Sequence, residues 1–514
     1  MQTNNLEASK RRNEILNQIV LQESHTQPEV SSIEGCLQAE VLFDEECTSG
    51  SEVDCLDESF QETTSRINDN LDNDQKFVVS WQQLKDLFIF CLDCGGKAEI
   101  MQAFTKGMIV YVKLECTVGH QTSWSSSPDK TVEDMHTTTA AAVLLSGLNI
   151  SRFVEVMSIA KIACFTDRTY NRLQKKILFP SINFVIQKHR REWLTSAKEE
   201  LHLELVGDGK CDFPGFNATY CTYTLMNEKS DQIIDFFVTH VTDAKNSQNM
   251  ELYGLKNLLE EMTKLGINID TLTTDQHKQV RCFLQKSYPI ICHQFDIWHK
   301  AKGIKKKQLK AGKKKLNSAL TPWIRSIINH FWWCCATSKE NIVLLKEKWV
   351  SILFHICNFH KWNNAQVYHK CIHADLSITD VLSKNWLQIN SPPYLALKQI
   401  VCDKKLLNVL GYFTKFKHSG NLESYHSLNN KYCPKRIFFT YDAMVARNQI
   451  AVLDHNSGLD RDQAKTKDGK LRHKSQWSKV TDRHVPKKIM DKKERKYVEE
   501  IINEIRLGNR EQWS

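Results

Sequence analysis

Strand-like and helix-like spacings of apolar residues succeed one another in a fixed order through the middle of this chain. Leu201–Val206 alternates apolar and polar residues as a half-buried strand does, and Tyr220–Met226 and Ile233–Val241 are rich in β-branched and aromatic residues. Met250–Leu265 has helical spacing and stops at Gly266, a residue type that tolerates the left-handed turn at a helix end. Ile267–Thr273 returns to strand, Gln276–Lys286 to helix and Pro289–Phe295 to strand. Three strands, helix, strand, helix, strand is the order expected of a mixed five-stranded α/β sheet. Its first three strands are antiparallel, and each later strand is reached by a helical crossover and so lies parallel.

The flanks read differently. Residues 1–76 show little periodicity and many Glu, Asp, Ser, Asn and Gln residues, the composition of a disordered acidic region with one short helix near Leu6–Leu21. Residues 77–130 alternate like strands around two cysteine-bearing corners, and 131–200 read as a helical domain. Within it, Ile150, Phe153, Val154 and Met157 keep helical spacing. Thr166 is placed to cap a second helix that exposes Arg168, Arg172, Lys175 and Lys176. Such a pair is either a helix-turn-helix with its second helix for a DNA groove or a dimerisation or linker element. Residues 301–415 are predominantly helical, dense in Trp and His, and interrupt the α/β pattern. Within 416–456, Leu422–Asn430 and Tyr441–Asp454 return to it as helices. Residues 457–514 form a basic tail with a helix at Lys492–Arg506.

At 514 residues the chain exceeds one compact core, so several folded units are expected. Met1–Val20 does not resemble a secretory signal, and no apolar run of about eighteen residues could span a bilayer, so the expectation is an intracellular protein. Seventeen cysteines, mostly scattered singly, then read as thiols or metal ligands rather than a disulfide framework. The net charge of +9 is uneven: Asp44, Glu45, Glu46, Glu52, Asp54, Asp57 and Glu58 crowd the start, while Lys300–Lys315 and Lys470–Lys496 are basic. That asymmetry points to a polyanion, nucleic acid first, with Lys305, Lys306 and Lys307 as candidate phosphate contacts; lysine runs that merely solvate a helix are the plain alternative.

Phosphodiester chemistry on two hard cations needs carboxylates brought together from separate elements. Asp208 ends the first predicted strand, Asp275 the fourth, and Glu423 opens a late helix. Asp212 rivals Asp208, although Asp212-Phe213-Pro214-Gly215 reads as a turn. The fifth strand runs into Asp296-Ile297-Trp298-His299, an acid two residues from a histidine. With Gly207-Asp208-Gly209-Lys210-Cys211-Asp212 and Leu422-Glu423-Ser424-Tyr425-His426, this stretch resembles Kolobok-type cut-and-paste transposases with their C/D(2)H motif, over about residues 77–456. The resemblance implies an RNase H-like core interrupted by a helical insertion. It implies Asp208, Asp275 and Glu423 as a DDE triad holding Mg²⁺ or Mn²⁺, with Asp212, Asp296 and His299 in support. It further implies DNA as partner, a homo-oligomer and work in the nucleus. The N-terminal THAP zinc finger typical of that family is missing from residues 1–90. A domesticated relative that binds DNA or chromatin without cutting, and a nuclease without strand transfer, are the alternatives.

Two clusters suggest zinc. Cys91-Leu92-Asp93-Cys94 and Cys116-Thr117-Val118-Gly119-His120 pair two knuckles at a spacing that suits a tetrahedral structural site. His355, Cys357, His360, Cys371 and His373 are more loosely spaced, and among Trp332, Trp333 and Trp349 they could equally be core.

Overall fold

The computed structural model describes residues 76–511, apart from 92, 128–131, 364 and 479–482. The acidic N-terminal stretch and the helix expected near Leu6–Leu21 lie outside the described residues. A small antiparallel sheet comes first: β1 (Ala98–Lys106), β2 (Ile109–Cys116) and β3 (Gln121–Ser125), packed around Phe88, Val112 and Leu114. Helices α1 (Val132–Leu145), α2 (Ile150–Ile159) and α3 (Asp167–Leu173) follow. Thr166 caps α3 as its position predicted, accepting from the Thr169 amide. The helix does not end after two turns, however. It passes through a π-helical turn, Gln174–Leu178, into α4 (Phe179–Glu199), so Lys175 and Lys176 lie on a continuing helix rather than on a separate recognition helix.

The central sheet has five strands, β4 (Glu204–Cys211), β5 (Tyr220–Asn227), β6 (Ile233–His240), β7 (Thr271–Thr274) and β8 (Cys292–Phe295), in the order β6-β5-β4-β7-β8. The pairs β4/β5 and β5/β6 are antiparallel, and β4/β7 and β7/β8 are parallel. Crossovers through α5 (Met250–Lys264) and α6 (Lys278–Ser287) lead to the parallel strands. Element types and mixed pairing match the sequence expectation; several boundaries differ. Strand β4 starts and ends later than Leu201–Val206, so Asp208 lies inside the strand rather than at its end. Ile267 and Ile269 are buried in the link from α5, and pairing on that side begins only where the Asp270 amide reaches the Leu203 carbonyl.

Both sheet faces are covered, which is why every residue of β5 and β7 is buried. Leu205, Tyr223 and Leu225 pack against Leu255, Leu258 and Leu259 of α5. On the other face Val206, Met226 and Ile233 meet α4 and the late helices Gly420–Tyr432 and Tyr441–Asn456. Beyond β8 come α7 (Ile297–Gly312), α8 (Ile324–Ala336), α9 (Ile342–His355) and α10 (Pro392–Val401), built round Trp349, whose indole donates to the Val401 carbonyl. Phe295 and Ile297 belong to that core and seat the insertion on the end of β8. The range 301–415 is predominantly helical as expected, but among its described residues 356–391 hold one short helix, Ile378–Ser383. The chain returns through α11 (Gly420–Tyr432) and α12 (Tyr441–Asn456), forms a hairpin of β9 (His473–Ser478) and β10 (Arg483–Lys488), and finishes in α13 (Lys496–Glu511).

Residues 457–514 are therefore not simply a tail. Tyr497, Ile501 and Ile505, spaced one turn apart on α13, enter the same apolar cluster as α1, α4 and α12. That cluster also joins the region 131–200 to the sheet as one core. No single helix among the described residues is long and apolar enough to cross a membrane.

Arg190 of α4 ties this assembly together, donating to both oxygens of Asp235 on β6 and pairing with Glu261 on α5. Asp235 is 6% exposed, so its charge depends on that guanidinium. Arg190→Met should cost roughly 3 kcal/mol by leaving a buried acid unpaired. Urea unfolding should show a lowered midpoint that Asp235→Asn added in the same chain largely restores; no rescue would mean Arg190 acts through packing alone.

Candidate functional site

Strand β4 alternates faces. Val206 packs toward α12, so Asp208 and Lys210, of the same parity, face α11, whereas Gly207 and Gly209 face α5. Lys210 turns aside to donate to Asn429 Oδ1 at 2.6 Å and to the Cys433 carbonyl at 3.0 Å. Asp208 Oδ1 accepts from the Gly209 amide, and Oδ2 lies 3.5 Å from His426 Nδ1. Gly207 pairs with Thr274 across β4 and β7, so Asp208 and Asp275 each stand one residue past that pair on neighbouring strands.

The third corner is built on Asp296. It caps α7, with Oδ1 accepting from the Trp298 amide at 2.7 Å, while Oδ2 accepts from His299 Nδ1 at 2.7 Å and from the Ser419 hydroxyl. Ser419 immediately precedes α11, and the Ile297 amide donates to the Lys417 carbonyl beside it. These bonds seat the start of α11 against the end of β8. They bring Glu423 Oε1 to 3.5 Å from His299 Nε2. His299 Nδ1 is also 2.8 Å from Asp275 Oδ1, so one imidazole nitrogen stands between the carboxylates of Asp275 and Asp296. Asp275 Oδ1 is buried, with that imidazole as its neighbour.

The electrostatics follow from that crowding. Burial raises the pKa of Asp275; the hydrogen bond from His299 opposes that shift, and Asp208 and Asp296 add to it. Burial likewise raises Glu423, with the His299 charge opposing and Asp296, Asp208 and Asp275 adding. For His299 burial pulls downward, but the carboxylates of Asp275 and Asp296 outweigh it and raise the imidazole to about 10. Too many acids face too few cations. Asp275, Asp296 and His299 offer ligand atoms within 4.8 Å of one another, two carboxylates and an imidazole that could hold a divalent cation. Asp208 and Glu423 stand beside this cluster, Glu423 through His299, without belonging to the converging set.

Three contributors were not legible in the sequence: Ser419, His426 and Glu251. Glu251 stands on α5 behind β4, its Cγ so close that a Cβ at Gly209 would come within 2.8 Å of it. Burial, then Asp208 and Asp275, push it up to about 8. Asp212, the rival first acid, holds its own turn instead: Oδ1 accepts from the amides of Phe213 and Thr219.

At the first zinc candidate, Cys91, Cys94, Cys116 and His120 offer ligand atoms all within 4.8 Å of one another, with Cys94 Sγ 3.8 Å from Cys116 Sγ. Gly95 (φ +69°) and Gly119 (φ +91°) turn the two knuckles back, and the His120 amide donates to Cys116 Sγ. Desolvation raises the Cys116 thiol, but the amides of His120 and Val118 bring it down to about 7, toward the thiolate that a metal takes. Of the second cluster, His355, His360, Cys371 and His373 converge, whereas Cys357 packs against the apolar core of the insertion.

The basic candidates separate as well. Arg168, Arg172, Lys175 and Lys176 are exposed along one helix face. On α7 Lys305 is half-buried and Lys307 is paired with Asp403 at 2.9 Å, so the run is not uniform. Instead Lys302, Lys306, Lys310 and Lys313, all exposed, continue at helical spacing from His299.

No protein family's profile matches this chain, and no curated protein matches it.

Glu251 gives a test of the crowded site without any metal. A carboxyl whose folded pKa lies above its unfolded value takes up a proton on folding, so stability is lost as pH rises from the ordinary carboxylate range through about 8. With chelator present, Glu251→Gln should melt a few degrees higher than the parent at pH 8 and equally at pH 5. An unchanged difference across that range would mean Glu251 is not titrating against Asp208 and Asp275.

Proposed function

We propose that this protein is a metal-dependent DNA-cleaving and strand-transferring enzyme of the RNase H-like, transposase-related class, with Asp208, Asp275 and Glu423 as its metal-binding acids. The observation that carries the reading is the meeting of acids from β4, the end of β7 and α11 beside a cluster in which Asp275, Asp296 and His299 offer ligand atoms within 4.8 Å of one another. Three antiparallel strands extended by two parallel ones, with the last acid on a helix after an inserted helical region, support the RNase H-like class. Divalent cations held there would lower the cost of forming the nucleophile and stabilise the leaving oxygen of an in-line displacement at phosphorus. Water attacks to nick the strand, and the freed 3′-hydroxyl attacks a second DNA. The protein's own share is positioning. Asp296 and Ser419 fix where α11 begins, and His299, held by Asp296, stands between Asp275 and Glu423. The lysines from Lys302 to Lys313 cover roughly 16 Å of helix leading away from that point, enough to follow several phosphates of one strand.

A second reading keeps the fold for DNA binding without cleavage. His299 favours it, because an imidazole held charged among these acids supplies some of the neutralisation that a cation would.

Nicking of supercoiled plasmid separates the two. The wild type should nick in Mg²⁺ or Mn²⁺, and Glu423→Gln or Asp275→Asn should each cut the rate by about 10³-fold or more while DNA binding survives. The double variant should be hardly worse, because the acids act as one unit. Wild-type protein that binds DNA and never nicks, with Glu423→Gln indistinguishable from it, removes the enzyme and leaves the binding protein.

The lysine stripe has its own measurement. Replacing Lys302, Lys306 and Lys310 by Gln should flatten the slope of log affinity against log salt by about 2–3, whatever the DNA sequence. Lys307→Gln should change it little, since Asp403 already neutralises that charge. Equal slopes for the triple variant and the parent would reduce the stripe to a solvated helix face.

A further inference from the structure

Residues 356–391 pose a stability problem. Their described residues contain one six-residue helix, and Trp362 and Tyr368 form a small apolar cluster with Phe354 of α9, yet they make a defined hairpin. Lys361 bridges Lys370, the Trp362 amide donates to the His369 carbonyl, and the Cys371 amide donates to the His360 carbonyl. That register sets His360 opposite Cys371 at the mouth of the hairpin. At its tip, Glu347 of α9 accepts from the amides of Gln366, Val367 and Tyr368 at 2.7–2.9 Å. The tip is anchored by a carboxylate; the mouth needs an anchor of its own.

Three imidazoles and a thiol meet there. His355 is the last residue of α9, and its Nδ1 lies 3.6 Å from Cys371 Sγ. The rings of His355, His360 and His373 stand 4.8–5.3 Å apart and nearly perpendicular to one another. Their outward nitrogens are assigned. His360 Nε2 donates to Asn358 Oδ1 at 2.9 Å, and His373 Nδ1 donates to the Ala374 carbonyl at 2.8 Å. Each bond fixes a tautomer and leaves the other nitrogen as a lone pair. His360 Nδ1 is that lone pair, buried and without a partner. Histidines merely packed among aromatics would have both nitrogens satisfied or in water; a buried nitrogen left unpaired costs about 1–3 kcal/mol. Outer nitrogens on fixed acceptors and inner ones converging is the arrangement that orients imidazoles on a metal.

We infer that His355, His360, Cys371 and His373 form a second, structural zinc site that pins the hairpin 358–373 to the end of α9. All four ligand atoms lie within 4.8 Å of one another. Three nitrogens and one sulfur, with no carboxylate in the set, suit zinc rather than magnesium or calcium. Four protein ligands fill a tetrahedron and leave no position for substrate, so the ion holds structure rather than performing chemistry. Cys371 gives up its thiol proton to solvent on binding.

The test is zinc content of the purified full-length chain. The wild type should carry two zinc ions per chain, Cys91→Ser with Cys94→Ser one, and His360→Ala with His373→Ala one. Wild-type protein with one zinc, or a His360→Ala, His373→Ala protein with the same zinc content as the wild type, overturns the site. Should that pair of substitutions prevent folding, Asn358→Ala reads the same proposal from outside the ligand set. It should release one zinc to a chelator about 10–100-fold more readily than the wild type, and identical release curves overturn the site. Cobalt reports the donors: in the Cys91→Ser, Cys94→Ser background the thiolate-to-cobalt absorption should vanish on adding Cys371→Ser. Its persistence would assign the sulfur to another cysteine and overturn the ligand set.

Discussion

One buried carboxylate connects the two halves of this molecule. Asp296, 2% exposed, caps α7, orients His299 and accepts the hydroxyl of Ser419 from a segment far along the chain. Burying a charge is costly unless every lone pair is used, and here donors from α7 and from the entry to α11 share the task. Remove it and α7 loses its cap, His299 its orientation and α11 its seat, so Glu423 would no longer be held beside Asp275. The insertion between β8 and α11 can therefore be large without disturbing the acids, because its two ends are fastened to each other at Asp296 and at the Ile297–Lys417 bond.

The acids themselves pull the other way. Asp208, Asp275, Glu423 and Glu251 all lie near one another, and their mutual repulsion is relieved only in part by His299. A fold that held such a group for stability alone would be poorly made. The glycines on either side of Asp208 let Tyr223 and Glu251 press up beneath the strand, which fixes the strand's height but adds another acid to the cluster. Packing across the rest of the sheet, through α4, α5 and the Arg190–Asp235 pair, supplies the stability that the site withdraws.

Much of the sheet was legible because β5, β6 and α5 advertise themselves through β-branched runs and helical spacing. Strand β4 was misplaced because Gly207 through Lys210 has neither signal; it stays extended because β5 pairs with it through Cys211, while β7 pairs only as far as Gly207. The hairpin of β9 and β10 was invisible for a similar reason, since His473–Ser478 and Arg483–Lys488 hold almost no apolar residues to alternate. In the site, Asp296 and His299 could be found because their spacing is local. Ser419, Glu251 and His426 could not, because each acts across the fold, and no local pattern records which distant residue a side chain will reach. The lysines of α7 show the same limit: their number was plain, but only the structure separates Lys307, held by Asp403, from the stripe that continues from His299.

The position of α13 bears on how the chain is made. Tyr497, Ile501 and Ile505 complete an apolar core that begins in α1 and α4, so during synthesis those early helices wait for α13, far along the chain, to leave the ribosome before their shared face is fully covered. The sheet and the insertion can pair and pack before then, as each has a core of its own. A nascent chain would thus carry an exposed helical flank until α13 emerges, which is a demand for chaperone shielding.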